Sequence, residues 1–406
     1  MTVRRALWLA FTLFVLYAGT IPFHFSADNV GDRVRHLSLN PFVSTDTGRR
    51  MSAPDFVQNV LLFLPFGALG FLCLERLRIV RRLALVTALG VGLSVTVESL
   101  QLLTTDRVSG LNDVLSNGIG AWLGALLAWQ SGSLFAAALR RLRMEGLADV
   151  DELRPMASAA AALAVAAWQP FDVTLEVGTV ISKVRALQTD AWQFTGLRDE
   201  GLLVLIAALF SATLSEYLAA LGEQRPGRKA AIMGIVLAFG LEASQVLIGS
   251  RMPSLWDALV STSGVALGAA AWTVWRRTEA PGFWLGAVIA ATAGAVAMLT
   301  LSPFVVAAAY RPFGWFPFLG YYIRTTFDTL SHVFELALVY FPLGLSVAWL
   351  KPGSHARTAV VWAAAIAVAM ELTQGWIVSR YPDITDVAIS LGGAWLGFHA
   401  YNRRRA

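Results

Sequence analysis

Cysteine is almost missing from this chain. The single Cys73 stands in an apolar run, so no intramolecular disulfide can form, and neither a CxxC redox pair nor a cysteine zinc site is available. Histidine is scarce as well, with five in 406 residues, and His24, His36 and His355 read as loop residues. No HExxH, Walker-type or GxSxG pattern occurs, which removes the common metalloprotease, ATPase and serine-hydrolase readings. Charge is the third scarcity. Charged residues are 15% of the chain and hydrophobic ones 56%, where a soluble domain carries roughly 25% charge. The chain reads as a polytopic membrane protein. Its net charge of +5 would suit a nucleic acid, but the basic residues sit in short loops between apolar runs, as the positive-inside rule requires. No nucleic-acid partner is expected.

What the chain does contain is a repeat. The skeleton Glu98-x2-Gln101-x5-Arg107-x5-Asp113-x6-Gly120-x3-Gly124 returns as Glu242, Gln245, Arg251, Asp257, Gly264, Gly268. It returns again as Glu371, Gln374, Arg380, Asp386, Gly393, Gly397, with every spacing kept. Asp55, Asp199 and Asp328 each stand 43 residues ahead of the glutamate, so the helix pair between them reads as free of gaps. The endings Ile21-Pro22-Phe23, Gln169-Pro170-Phe171 and Ser302-Pro303-Phe304 precede the three copies. This recurrence makes the run Ala6 to Ile21 the first helix of a unit rather than a cleaved leader.

The expected domains are residues 1–135, 155–277 and 281–402, each with four apolar segments near the ~20 residues that span a bilayer. The expected fold is all-α, about twelve transmembrane helices in three parallel four-helix repeats. Twenty of the 32 Lys and Arg residues fall at the N-terminus, the C-terminal tail and alternate connections. Both termini are therefore expected in the cytoplasm, and the motif at the extracytoplasmic end of every unit.

Glu98 and Gln101 share one helix face, inside the apolar zone. Ionisable groups there are costly and usually face a bundle interior or a wet cavity, which favours function over interhelical glue for Glu98, Glu242 and Glu371. Asp113 and its equivalents open the next helix, where a carboxylate can cap free amides. The arginines read first as structural salt bridges and next as contacts to a ligand phosphate or carboxylate. The glycine pairs read as close helix packing. Trp122, Trp315, Trp376 and Trp395 read as interface anchors. Three carboxylates and one guanidinium per unit leave three outcomes: a protonated glutamate, a bound cation or a cationic ligand. No cofactor is expected, and no metal site; a divalent cation on paired carboxylates has no dedicated ligand set behind it.

The copies differ around this skeleton. After Asp55 the first has Gln58 and Asn59, then Leu64-Pro65-Phe66-Gly67; after Asp328 the third has Ser331 and His332; the middle has Glu200 and then leucines, including Leu203. Asn117 becomes Ser261 and Ser390. On this reading the middle unit is scaffold, the first is the leading candidate for the active unit, and the third follows.

These residues resemble the VanZ-like family of bacterial membrane proteins. The resemblance rests on Asp55-x3-Asn59 with Pro65-Phe66-Gly67, on Glu98, Gln101, Arg107, Asp113, Asn117 and Gly120, and on Asp328-x3-His332 with Glu371 to Gly397. It implies a role at the bacterial cell envelope, since the family's namesake is associated with low-level teicoplanin resistance. It implies no defined reaction. The candidate ligand-binding set is Asp55, Asn59, Glu98, Gln101, Arg107, Asp113, Asn117, Asp328, His332, Glu371, Gln374, Arg380 and Asp386. Asp199, Glu242, Gln245, Arg251 and Asp257 of the middle unit form a weaker set. The expected activity is non-enzymatic: binding or moving an envelope lipid, a lipid-linked cell-wall precursor or a glycopeptide at the outer face of the cytoplasmic membrane. The rivals are an intramembrane hydrolase or transferase acting on a lipid-linked phosphate, and a structural or assembly protein.

Overall fold

The computed structural model describes residues 3–20, 25–26, 30–32, 40, 53–104, 109–144, 151–169, 171, 174, 177–189, 192, 197–278, 280–321 and 326–401. Among them the chain is all-helical, with isolated bridges and no strand. The chain divides into two compact units, residues 1–145 and 146–406. The first holds α1 (Val3–Thr20), α2 (Ala53–Cys73), α3 (Ile79–Gln101) and α4 (Leu111–Met144). The second opens with α5 (Leu153–Trp168), α6 (Val177–Thr189), α7 (Leu197–Ala220), α8 (Pro226–Ser244) and α9 (Leu255–Thr278). It continues with α10 (Pro281–Leu301), α11 (Thr326–Leu350), α12 (Ala356–Gln374) and α13 (Ile384–Ala400). The middle and third copies thus share one unit and one hydrophobic core, centred on residues such as Ile206, Val265, Leu299 and Leu343.

Seven of the described helices, α3 and α7 to α12, are long and apolar enough to cross a membrane. Shorter apolar helices occur at Leu7–Thr20, Asn59–Cys73 and Leu153–Trp168. With backbone hydrogen bonds closed inside each segment, helices are the natural form for such apolar runs. One helix was not foreseen: α6 lies between the first two helices of the middle copy. Its Lys183 is buried and donates to the carbonyls of Ile248, Gly249 and Arg251, pinning the motif loop of that copy.

The sequence repeat is written into the backbone. Ser26, Thr174 and Ala307 each lie four residues beyond the proline of an X-Pro-Phe ending. Their amides donate to the carbonyls of Leu103, Leu247 and Trp376, at 2.8, 2.8 and 2.7 Å. Phe171 and Phe304 both sit at positive φ, and their amides donate to the carbonyls of Trp168 and Leu301, so the same turn ends the first helix in two copies. The paired glycines let the second and fourth helices of each copy touch backbone to backbone. A Cβ at Gly124, Gly268 or Gly397 would collide with the carbonyl oxygen of Leu64, Ala208 or Phe341.

Those contacts correct one expectation. Gly120 meets Val60 and Gly264 meets Val204, in each case sixty residues apart, whereas Gly393 meets Ala337, fifty-six residues apart. The third copy lacks four residues between its second and fourth helices, so packing places His332, not Asp328, level with Asp55. Four residues are close to one turn of 3.6, so the same stripe of α11 still faces inward and the constant 43-residue spacing hides the shift.

Candidate functional site

The motif glutamates do one job in all three copies. Each lies near the end of its helix, twelve residues before the residue that introduces the next helix. Glu98 Oε2 accepts from the amide of Gly110, Glu242 Oε1 from Ser254 and Glu371 Oε2 from Asp383, each at 2.8 Å. Each carboxylate thereby closes the loop and satisfies an amide at a helix start. In the second unit the other carboxylate oxygen is taken as well, by Gln245 Nε2 at 3.0 Å and by Gln374 Nε2 at 2.7 Å. Gln101 Nε2 turns instead to the Gly19 carbonyl at 2.9 Å. Glu371 is only 2% exposed.

In the middle and third copies the arginine staples the first helix to the same loop. Arg251 Nε donates to the carbonyl of Gln169 at 2.9 Å, and Arg380 uses Nε and Nη2 on Ser302 at 2.8 and 2.5 Å. Both carbonyls belong to the residue before the proline of the X-Pro-Phe turn. Arg107 and the Asp55 side chain lie outside the described residues.

The helix cap falls three residues before the motif aspartate. Asp383 accepts from Thr385 N at 2.7 Å, and Ser254 Oγ from Trp256 N and Asp257 N at 3.1 and 3.4 Å. This leaves the motif aspartates for other partners, and here the copies part. Asp113 Oδ1 accepts from Asn59 Nδ2 at 2.7 Å and from Asn112 Nδ2 at 3.0 Å, while Asn117 Nδ2 donates to Ser94. Asp386 Oδ1 accepts from the Tyr321 hydroxyl at 2.5 Å, and its Oδ2 lies 3.1 Å from His332 Nε2. Asp257 faces Asp199, Glu200 and Arg251. Glu200 Oε1 accepts from the indole of Trp256 at 2.7 Å.

The third copy therefore holds a buried Tyr–Asp–His cluster. His332 is 8% exposed, and its Nδ1 has no hydrogen-bond partner among the described residues. A carboxylate at Nε2 fixes the proton there, leaving Nδ1 as an acceptor on the neutral ring and a donor on the charged one. Such a group can read a polar ligand of either kind. Asp328, one turn earlier on α11, is exposed. Among the described residues no group of three or more His, Cys, Asp or Glu side chains is placed to hold a metal ion.

Sequence reasoning passed over Tyr321, Asp383, Ser254 and Lys183. Asp383 and Ser254 had a signal, a small polar residue directly ahead of an apolar helix. Tyr321 had none, since the segment that delivers it forms only a single turn, Leu319–Tyr321.

The sequence model of the family described as VanZ/LLP1 matches residues 6–136 and 285–404, which hold the first and third copies. Protein VanZ of Enterococcus faecium is 31% identical over 93 residues, 23% of this chain and 52% of that protein. The chain thus spans about half the length of that curated relative. No solved structure matches.

Proposed function

The chain belongs to the VanZ/LLP1 family and is a multi-pass membrane protein, and from that premise we propose that it binds, or helps to move, an amphiphile of the bacterial envelope. The reading places it in the cytoplasmic membrane with both termini inside, as three parallel four-helix repeats whose motifs lie at the outer face. The amphiphile is an envelope lipid, a lipid-linked cell-wall precursor or a glycopeptide of the teicoplanin type. One observation carries the proposal: the buried Tyr321–Asp386–His332 cluster, which holds an oriented imidazole whose buried Nδ1 has no hydrogen-bond partner among the described residues. It moves the leading site from the first copy to the third. Glu98, Glu242, Glu371, Arg251 and Arg380 then serve as the frame, because they bond to loop amides and to the carbonyls of the X-Pro turns.

The test is His332→Leu in the native host, with Tyr321→Phe beside it. Folded protein is expected to stay near wild type while sensitivity to glycopeptide antibiotics changes. A fall in folded protein proportional to the phenotype would return the cluster to architecture. Turnover of a lipid-linked phosphate by the purified protein, lost in His332→Leu, would establish the enzymatic rival instead.

A further inference from the structure

Beside the middle copy's motif runs an apolar crevice that the reading above leaves unused. It is enclosed by α7, α9, α10 and α11 and has a volume of about 670 Å³, within the ~300–1,000 Å³ of ligand pockets. Its lining follows α10 from Met298 to Trp284 and α9 from Val260 to Trp275, about 21 Å at 1.5 Å per residue. That is more than half of the ~30 Å hydrocarbon core. The walls are largely Ala, Gly, Val and Leu, and one end closes on Trp275, Trp284 and Trp349. At the other end stands Glu200, the single charged residue among the described residues of the lining.

The shape is that of a slot for a hydrocarbon chain, and the charge at its mouth selects the head. Asp199 precedes Glu200 directly on α7, and its Oδ1 is buried without a partner among the described residues; the charges of Asp199 and Glu200 both act on Asp257. Among the described side chains, Arg251 is the guanidinium that acts on Asp257, and it donates to the carbonyl of Gln169. Lys183 is directed onto three loop carbonyls. Arg276 belongs to the opposite end of α9 and pairs with Glu216 at 3.8 Å. Among the described side chains carboxylates outnumber cations at the mouth, which disfavours an anionic head and favours an ammonium group.

We propose that this crevice holds one chain of a membrane lipid whose head carries an amine, with the ammonium at Glu200 and Asp199. The site shares no residue with the third-copy cluster and does not depend on it. The middle copy, poorest in motif partners, contributes α7 and α9 to this lipid site, and α10 and α11 of the third copy complete it.

Gly294 supplies the decisive variant. It lines the crevice, and a Cβ there would meet nothing within 4 Å, so a larger side chain has room to start into the slot. The experiment uses the full chain in vesicles carrying photoactivatable phosphatidylethanolamine or phosphatidylglycerol with the same diazirine chain. Labelled positions are then mapped by mass spectrometry. Phosphatidylethanolamine is expected to label crevice residues such as Leu205, Gly294 and Trp349, with about tenfold less labelling in Gly294→Trp. Glu200→Gln is expected to reduce the preference for phosphatidylethanolamine severalfold and leave total chain labelling nearly unchanged. Equal labelling by both lipids would overturn the choice of head. Labels confined to the outer helix faces, or crosslinks to a second copy of the chain in place of lipid, would overturn the site.

Discussion

The middle and third copies share one core and one backbone design, yet they diverge where a ligand would be read. Both close the motif loop with a glutamate and glutamine, and both staple an X-Pro carbonyl with an arginine. Both pack backbone on backbone through paired glycines. The third then sets a histidine and a tyrosine on its aspartate, where the middle copy faces its aspartate with two further carboxylates. The shared skeleton is therefore frame, and the difference beside it marks specialisation. A motif repeated without change is evidence of a common loop before it is evidence of a common activity.

The largest effect that tests this division is loss of the frame. Glu371→Leu and Glu242→Leu should each leave a buried loop amide unsatisfied, at about 1–3 kcal/mol, and strand a glutamine as well. Both variants are expected to lower the thermal midpoint in detergent by similar amounts. Fluorescence-detected size exclusion after heating gives the comparison directly. A drop confined to Glu371→Leu would show that the third copy's glutamate is special and would dissolve the distinction between frame and reader.

A smaller effect comes from exchanging the readers. In the packed register His332 is level with Asp199, so His332→Asp gives the third copy the middle copy's confronted carboxylates. It should cost about 1–2 kcal/mol in stability and change glycopeptide sensitivity. The reverse change, Asp199→His, supplies Asp257 with a partner and should raise stability by about 1 kcal/mol. It should also weaken capture of an amine-headed lipid, because it removes one carboxylate from the crevice mouth. Opposite signs in the two thermal midpoints are the expected signature, and equal signs would refute the register.

Much of this frame was legible in the chain. Glu, Gln, Arg, Asp and the glycine pair at constant spacing marked the loop and the helix contact, and the X-Pro-Phe endings marked the turn that the arginines hold. The register of α11 was hidden by the constant 43-residue spacing from Asp328 to Glu371, yet the sequence holds its signal: Pro342-Leu343-Gly344 stands 277 residues after Pro65-Phe66-Gly67, four more than the 273 that separate Glu98 from Glu371. Tyr321 was out of reach for another reason. The segment 302–321 has no periodic pattern, and only folding lays it across the start of α13, where Phe318 N donates to Thr385 Oγ1 at 2.6 Å. The apolar crevice was hidden because residues facing a slot and residues facing lipid have the same composition.

The smallest expected effect sharpens the register further. In the packed alignment Leu203 of the middle copy corresponds to Asn59, since Gly264 meets Val204 as Gly120 meets Val60. Asn59 donates to Asp113 at 2.7 Å, so Leu203→Asn should build the same bond to Asp257. Leu203 is only half-buried, so little packing is lost, and a net gain of about 0.5–1 kcal/mol is expected. Leu336 is the corresponding residue of the third copy in this register, and it is 1% exposed in the core. An asparagine there finds Asp386 already held by Tyr321 and His332, so Leu336→Asn should destabilise. Calibrated thermal midpoints of the two variants therefore decide between alignments. Gain at 203 with loss at 336 fits packing, whereas the spacing of the motif alone pairs Leu203 with His332 and predicts nothing for Leu336.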